Sequence, residues 1–134
     1  MAIVSGEFTV KMNPQKADNA EAESAGLSRM SLDKHYRGEL DATGKGEMIS
    51  IMTEVKGSGV YVAIERVNGT LGGRSGSFLL HHRGVMTRGV PELSITVVPD
   101  SGTGDLAGLT GEMQIKFPDG KHFYEFNYTL PERS

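Results

Sequence analysis

The eight residues Leu71-Gly72-Gly73-Arg74-Ser75-Gly76-Ser77-Phe78 follow a pattern that returns further along the chain. The pattern is Leu-x-Gly-x-x-Gly-x-apolar, and Leu106-Ala107-Gly108-Leu109-Thr110-Gly111-Glu112-Met113 repeats it. A looser copy ends in Gly46-Glu47-Met48, after Leu40. The apolar residues that end the copies, Met48, Phe78 and Met113, lie 30 and 35 residues apart.

This spacing matches two long strands with their turns, so the repeat marks every second strand. We expect all three copies to lie at strand starts. A glycine at the same level of alternate strands is typical of a closed barrel, in which strands bend sharply or pack closely. Chance repetition in a chain with 18 glycines is the alternative.

The chain as a whole divides into short strands separated by Gly, Pro and Asp. Short connections between neighbouring strands indicate antiparallel pairing, and Asp119-Gly120 is a hairpin-turn dipeptide. Residues 13–27 form one long loop, with at most a single helical turn within Ala17–Gly26. The predicted strands are Gly6–Met12, Ser28–Lys34, Gly46–Val55, Val60–Gly69, Ser75–His82, Glu92–Val98, Gly108–Phe117 and Lys121–Leu130.

The fold class that follows is all-β, a single antiparallel β-barrel of about eight strands. The 134 residues are enough for one domain. We expect that domain to span 1–134, with its core in 5–130.

Composition excludes several classes of protein. The chain has no cysteine, which excludes disulfide scaffolds, thiolate zinc sites and cysteine nucleophiles. Its net charge of −3 argues against a nucleic-acid partner. No apolar run approaches the ~18 residues that cross a bilayer, and residues 1–11 lack the pattern of a secretory signal. We therefore expect no membrane association and a cytoplasmic protein.

Longer motifs in the chain resemble a bacterial family. They are YVAIERVNGTLGGRSGSF at 61–78 with His82-x-Gly84, ITVVPDSGTGDLAGLTG at 95–111, and DGKHFYEFNY at 119–128. The resemblance extends from Ser5 to Leu130, and the family is domain-of-unknown-function family 3224. It implies a barrel similar to those of allene-oxide cyclases and calycins. The name of the family carries no function, so the resemblance leaves the activity open.

The strand around Glu65 is apolar on both faces. One face carries Tyr61, Ala63, Glu65 and Val67, and the other carries Val60, Val62, Ile64 and Arg66. In a small barrel one face fills the lumen and the other must be covered, so we expect a homodimer or another homo-oligomer. Scattered surface valines are the alternative.

Glu65 is the first candidate for chemistry. Burial would raise the pKa of its carboxyl group unless a cation paired with it. Arg74, which begins the next strand, is the predicted partner across the hairpin. The pair is either a structural ion pair at a barrel end or a site where Arg74 holds a ligand carboxylate and Glu65 acts as acid or base.

Glu112 and Glu47 occupy matching positions in the repeat, and Ser77 is their counterpart in the first copy. If that register faces inward, both carboxylates line the lumen. Their pKa values would then separate, as in catalysis by a carboxyl pair. The alternative is that both glutamates face water, because one sequence does not fix the register of a strand.

The histidines offer a second kind of acid–base group. His81 and His82 are neighbours, so at most one of them faces the lumen, and His82 is in register with Phe78 and Leu80. His122 opens the last strand. Short two-histidine ligand spacings are missing, so we expect no metal and no other cofactor. A core or rim histidine, or an acid–base histidine beside Glu112, fits the pattern better.

The last hairpin carries two further candidates. The stripe Tyr124, Phe126 and Tyr128 either packs a core face or forms a cup for an apolar ligand. The Asp119-Gly120 bond either lies in an ordinary turn or is strained and cut by a nearby carboxylate. Glu112, His122 and Asp119 itself are the candidate helpers in such a cleavage.

Three functions remain open at this point, and the leading one is a module that binds a small, largely apolar molecule. Its candidate ligand contacts are Arg74, Tyr124, His82 and Tyr61. The second is a carboxylate acid–base enzyme for hydrolysis, self-cleavage, isomerisation or cyclisation, with the candidate catalytic residues Glu112, Glu65, His122 and Asp119. The third is an assembly role through the apolar outer strand face.

Overall fold

A computed structural model describes residues 1–17 and 19–132. Eight strands follow one another around a closed barrel. Neighbouring strands are antiparallel, and the last strand pairs with the first to close the barrel. The strands are β1 (Ala2–Gln15), β2 (Ser28–Tyr36), β3 (Leu40–Met52), β4 (Gly59–Leu71), β5 (Arg74–Thr87), β6 (Val90–Val97), β7 (Thr110–Lys116) and β8 (His122–Thr129). The predicted fold class is confirmed.

Several strands are longer than the sequence pattern indicates. β3 begins at Leu40 rather than at Gly46, and β5 continues to Thr87 rather than ending at His82. The extra part of β3 is polar and contains glycine, a poor strand composition. Ala42–Gly46 nevertheless pairs with β2 on one side and β4 on the other. Pairing on both edges outweighs the weak intrinsic preference of these residues.

The long loop expected at 13–27 is shorter in the structure. β1 continues through Gln15, which pairs with Arg29 in β2. A single short helix, α1 (Ala20–Ser24), follows, in agreement with the predicted helical turn. Asn19 caps α1, because its Oδ1 accepts a hydrogen bond of 2.7 Å from the backbone N–H of Ala22. In the described ranges, no helix has the length and apolar character needed to cross a bilayer.

The two complete copies of the repeat share two structural features at their glycines. Gly73 and Gly108 both have φ = +83° just before β5 and β7, a conformation that favours glycine. Gly76 and Gly111 then lie against neighbouring backbone, where a Cβ would overlap the carbonyl oxygen of Thr103 or Asn127. The copies thus share both the left-handed turn and the close approach that follows it.

The looser copy lies on β3, so the repeat marks β3, β5 and β7, every second strand as predicted. Its position within the strand differs from the expectation. Gly46 lies in the middle of β3 and not at its start, because β3 extends back to Leu40. There a Cβ would overlap the carbonyl oxygen of Ile64 in β4.

The hairpin predicted at Asp119-Gly120 is present. Asp119 has φ = 53° and Gly120 has φ = 77°, as a type I′ turn requires. The N–H of Lys121 donates a hydrogen bond of 3.0 Å to the carbonyl oxygen of Pro118 and closes the turn.

Aromatic side chains fill the end of the barrel where β3 begins. The rings of Tyr36 and Tyr124 meet edge to face with centroids 5.6 Å apart, and Phe78 stacks on Phe126 at 5.7 Å. The Tyr124 hydroxyl donates to the carbonyl oxygen of Arg37 at 2.7 Å and accepts from the N–H of Leu40 at 3.3 Å. The stripe on β8 therefore packs against the core, and the Tyr124 hydroxyl is hydrogen-bonded to backbone groups.

Gly111→Ala tests the close approach in the repeat. The added methyl group would overlap the carbonyl oxygen of Asn127 in β8, so we expect the free energy of unfolding to fall by about 1–3 kcal/mol, as for other overpacked sites. Urea denaturation followed by far-UV circular dichroism measures it. Thr110→Ala, at the exposed neighbouring position, is the control and should change stability by less than about 0.5 kcal/mol. Equal stabilities of the two variants would contradict this packing.

Candidate functional site

The other end of the barrel opens into a pocket of about 340 Å³. We call it the mouth pocket. Its walls are the ends of β3 to β6, and most of its lining is apolar. Met52 remains 60% exposed there, a large value for so apolar a side chain. The lining residues are Met48, Ser50, Met52, Gly59, Val60, Tyr61, Gly84, Val85, Met86, Pro91, Glu92 and Leu93.

Strand register explains why these residues meet. Tyr61 in β4 lies opposite Ser50 in β3 and opposite Gly84 in β5, and Gly84 lies opposite Leu93 in β6. The Tyr61 ring covers Gly84, where a Cβ would overlap it. Because Gly84 has no side chain, the tyrosine ring can lie against the β5 backbone and form one wall of the pocket.

A buried polar cluster lies deeper in the lumen, centred on Glu65. Two residues along a strand span roughly 6.6 Å, so Ala63 is one step below Tyr61 and Glu65 is two steps below it. Glu65 is completely buried. Oε1 of Glu65 accepts hydrogen bonds from Lys34 Nζ at 2.9 Å and from the Tyr36 hydroxyl at 3.0 Å. Its Oε2 accepts a second contact from the Tyr36 hydroxyl at 2.9 Å.

His82 completes this cluster from β5. Its Nε2 lies 2.6 Å from Glu65 Oε1. His82 is buried and is paired with Ala63 in the register of β4 and β5. It therefore lies one step below Gly84, a residue of the mouth pocket.

The charges of the cluster determine which groups stay ionised. Burial alone would raise the pKa of Glu65, but the hydrogen bond from His82 and the positive charge of Lys34 outweigh it and lower the pKa below its ordinary value. Burial, together with the charge of Glu65, raises the pKa of Tyr36 well above its ordinary value. Glu65 is thus a carboxylate and Tyr36 a neutral hydrogen-bond donor.

Two glycines in β3 leave room for this carboxylate. A Cβ at Gly44 would overlap Oε2 of Glu65, and one at Gly46 would come within 3 Å of the Glu65 side chain. Alternating glycines on the inward face of one strand are a sequence feature that could have indicated a large polar group on the neighbouring strand.

The predicted ion pair of Glu65 with Arg74 is wrong. The residue opposite Glu65 on β5 is Leu80, whereas Arg74 lies opposite Leu71 at the far end of the same hairpin. Arg74 instead donates a hydrogen bond of 3.2 Å to the carbonyl oxygen of Pro131. The actual cation is Lys34 on β2, whose Nζ lies 2.9 Å from Glu65 Oε1.

Of the two alternatives for Glu47 and Glu112, the structure supports the one in which both glutamates face water, and the carboxyl pair in the lumen is wrong. Glu112 lies between the inward residues Gly111 and Met113 of β7 and is exposed. Glu47 is exposed as well and forms an ion pair of 2.7 Å with Arg29. Strand alternation places both glutamates on the outer wall.

The structure separates the remaining predicted site residues. Tyr61 lines the mouth pocket and His82 lies below it, whereas Arg74 and Tyr124 belong to the opposite end of the barrel. The His122 ring packs between Phe8 and Phe117, with centroids 5.1 and 4.2 Å away. Glu112 pairs with Asn127, five residues along β8 from His122. At about 3.3 Å per residue the two are far apart, so the expected partnership is wrong.

Among the described residues, those around Glu65 do not form a metal site. In the part of the chain that the structure describes, no three His, Asp or Glu side chains converge as metal ligands would. Lys34 occupies the position beside Glu65 where a cation would bind. Asp119 is exposed in a hydrogen-bonded turn.

Comparison with known proteins identifies the family. The profile described as "Protein of unknown function (DUF3224)" matches residues 4–128. The chain belongs to this family. A crystal structure of a protein with unknown function from the DUF3224 family of Shewanella oneidensis MR-1 is similar, with 50% identity, 99% coverage of both chains and a TM-score of 0.92.

None of the curated proteins compared with the chain matches it. The family resemblance seen in the motifs is confirmed. The relation to calycin and allene-oxide-cyclase barrels stays a prediction. The chemistry of this DUF3224 member therefore has to be argued from its own residues.

Glu65→Gln tests the electrostatic role of the cluster. It leaves the Lys34 ammonium group buried without a carboxylate, so we expect a loss of about 3–5 kcal/mol in the free energy of unfolding. Urea denaturation at neutral pH measures it. Glu112→Gln removes an exposed carboxylate and should change stability by less than about 0.5 kcal/mol. The double variant Lys34→Met/Glu65→Gln should lose less than the sum of its single changes.

The stability of the wild type should also depend on pH in a defined direction. Because the folded pKa of Glu65 lies below its ordinary value, the unfolded chain takes up this proton more readily. The stabilisation of the fold by the ionised Glu65 is therefore complete above the ordinary pKa of a glutamate. It is lost as the pH falls through the pKa of Glu65 in the folded protein. Acid titrations of the two glutamine variants should differ in this range, and superimposable curves would contradict the role of Glu65.

Proposed function

We propose that the barrel binds a small, largely apolar molecule in the mouth pocket. The pocket itself carries this proposal. Its volume of about 340 Å³ is at the lower end of the range of small-molecule sites, roughly 300–1,000 Å³. Apolar side chains left exposed in a concave surface are stabilised by a ligand that removes them from water.

The lining supports a ligand with an apolar body. Met48, Met52 and Met86 are flexible and polarisable, and they adapt to irregular apolar shapes. Ser50, Tyr61 and Glu92 also line the pocket, but the surface that it exposes is almost entirely apolar. Burial of apolar area, rather than hydrogen bonding, would therefore supply most of the affinity.

The polar cluster favours a neutral ligand over an acidic one. Arg74, the expected carboxylate holder, lies outside the mouth pocket. The two basic residues of the cluster below the pocket, Lys34 and His82, already contact Glu65. A ligand carboxylate would have to compete with Glu65 for them at a large cost in desolvation.

Binding of the neutral fluorescent probe N-phenyl-1-naphthylamine tests this proposal. We expect the wild type to enhance its fluorescence saturably. Ser50→Trp fills the pocket and should weaken binding by at least about tenfold, or 1.4 kcal/mol. Ser94→Trp places the same side chain on the exposed outer face of β6 and should leave binding unchanged. Equal effects of the two substitutions would exclude the mouth pocket as the binding site.

A second candidate is acid–base catalysis in the same pocket, and the short contact between His82 and Glu65 favours it. If Nε2 of His82 donates to Glu65, its Nδ1 carries a lone pair that can accept a proton. A carboxylate that orients a histidine base is a recurrent catalytic arrangement. In this version Glu65 positions His82, and His82 takes the place that the sequence suggested for Glu112.

Hydrolysis of 4-nitrophenyl acetate separates the two candidates. An acid–base site predicts a rate above the buffer background that His82→Gln abolishes and Glu112→Gln keeps. A wild-type rate equal to background would favour the binding module. Self-cleavage at Asp119–Gly120 belongs to the same chemical class. If the mass of the denatured protein equals that of the full chain, self-cleavage is excluded.

A further inference from the structure

We propose that the outer face of β3, β4 and β5 is the interface with a second copy of this chain. The centre of this face is a patch of β-branched side chains, Ile49, Val60, Val62 and Ile64, which we call the outer patch. All four are exposed on the isolated chain. Val60, Val62 and Ile64 alternate with the inward residues of β4, and Ile49 lies opposite Val62, so the patch is continuous.

The outer patch differs from the rest of the barrel wall. The outward positions of β7 are polar, with Glu112, Gln114 and Lys116. Asp33 and His35 hold outward positions in β2. An antiparallel sheet face that meets water is usually polar in this way. A contiguous apolar face instead indicates an interaction surface.

Opposite charges flank the outer patch. On the β3 side is Glu47, which lies opposite Ile64. On the β5 side are His81, opposite Ile64, and Arg83, opposite Val62. Arg83 forms no ion pair with any residue in the ranges 1–17 and 19–132. The face therefore has a carboxylate on one flank, which also pairs with Arg29 of its own chain at 2.7 Å, an apolar centre and a basic flank.

This arrangement is complementary to itself. A two-fold axis in the plane of the interface, inclined to β4 and crossing it between Val62 and Ile64, places the β3 side of one copy against the β5 side of the other and exchanges the positions of Glu47 and Arg83. Glu47 then meets Arg83 of the partner subunit, and the symmetry repeats the contact. Closed two-fold interfaces use one patch on both copies in this way. The charged flanks would fix the orientation while the apolar centre supplies the affinity.

Within residues 1–17 and 19–132, the chain leaves all four side chains of the outer patch exposed. Ala17, Asn19, Ala22 and Leu27 border a groove that also contains Ile49, Val62 and Ile64. Ile64 remains 58% exposed beside it. The groove is about 1,010 Å³, so the segment that contains α1 lines one side of it without covering the outer patch.

Sedimentation velocity on the full chain tests the interface. The wild type should sediment with twice the chain mass of 14.4 kDa. The Ile64→Glu variant should sediment as a monomer, because a charge in the centre of the outer patch opposes its burial. Ile3→Glu is the matched control, because Ile3 is 60% exposed but lies on β1, and this variant should remain a dimer. A monomeric wild type, or a dimer that survives Ile64→Glu, would overturn the proposal.

A charge exchange tests the geometry without altering the apolar centre. Glu47→Arg alone and Arg83→Glu alone each create like-charge contacts in both halves of the symmetric dimer, so each variant should dissociate at least tenfold more readily. An equimolar mixture of the two should form a heterodimer, because both of its contacts are then attractive. Dimers unaffected by either change, or a mixture that stays monomeric, would overturn the proposed axis. Because both side chains lie on the outer wall and neither lines the mouth pocket, probe binding is expected to be unaffected in either case.

Discussion

A carboxylate without contact to water is the constraint around which this barrel is organised. Burying an ionised group is costly unless opposite charge and hydrogen bonds compensate it. Glu65 receives that compensation from Lys34 and Tyr36 on β2 and from His82 on β5. The cluster therefore links three strands, and a shift in the register of any one of them would leave a buried charge unpaired.

The same cluster divides the lumen into two parts with different properties. On one side, Tyr36 continues into the aromatic packing with Tyr124, and backbone groups hold the Tyr124 hydroxyl. This part is filled by packed aromatic rings. On the other side, Ala63 and Gly84 contribute little volume, and the methionines above them leave the mouth pocket open. Rigid packing below and adaptable side chains above suit a site that accepts a small apolar molecule.

β4 connects the two proposals through the alternation of its side chains. Its inward residues Tyr61, Ala63 and Glu65 form the pocket wall and the charged cluster, and its outward residues Val60, Val62 and Ile64 form the outer patch. Val60 also borders the mouth pocket. A strand that is apolar on both faces has two surfaces to bury. The barrel buries one of them, and a second copy of the chain is the proposed cover of the other.

Local patterns in the sequence were sufficient for the architecture. The glycine repeat marked every second strand, because Gly76 and Gly111 meet neighbouring backbone at equivalent places. The dipeptide Asp119-Gly120 specified its hairpin, because a type I′ turn needs positive φ at both positions. Alternation on β4 placed Glu65 on one face with Tyr61 and Ala63, because side chains of a strand point to opposite faces in turn, and the structure shows that this face lines the lumen.

The partners of Glu65 were decided only by the tertiary structure. Lys34 lies 31 positions before Glu65 in the chain, and their contact depends on the registers of two hairpins together. A sequence pattern says which face a residue shares with its neighbours, but not how far one strand is shifted against the next. For this reason Arg74 was a plausible partner in the sequence and lies at the far end of the hairpin in the structure. Glu112 likewise has a carboxyl group suited to acid–base chemistry, but its side chain lies on the outer face of β7.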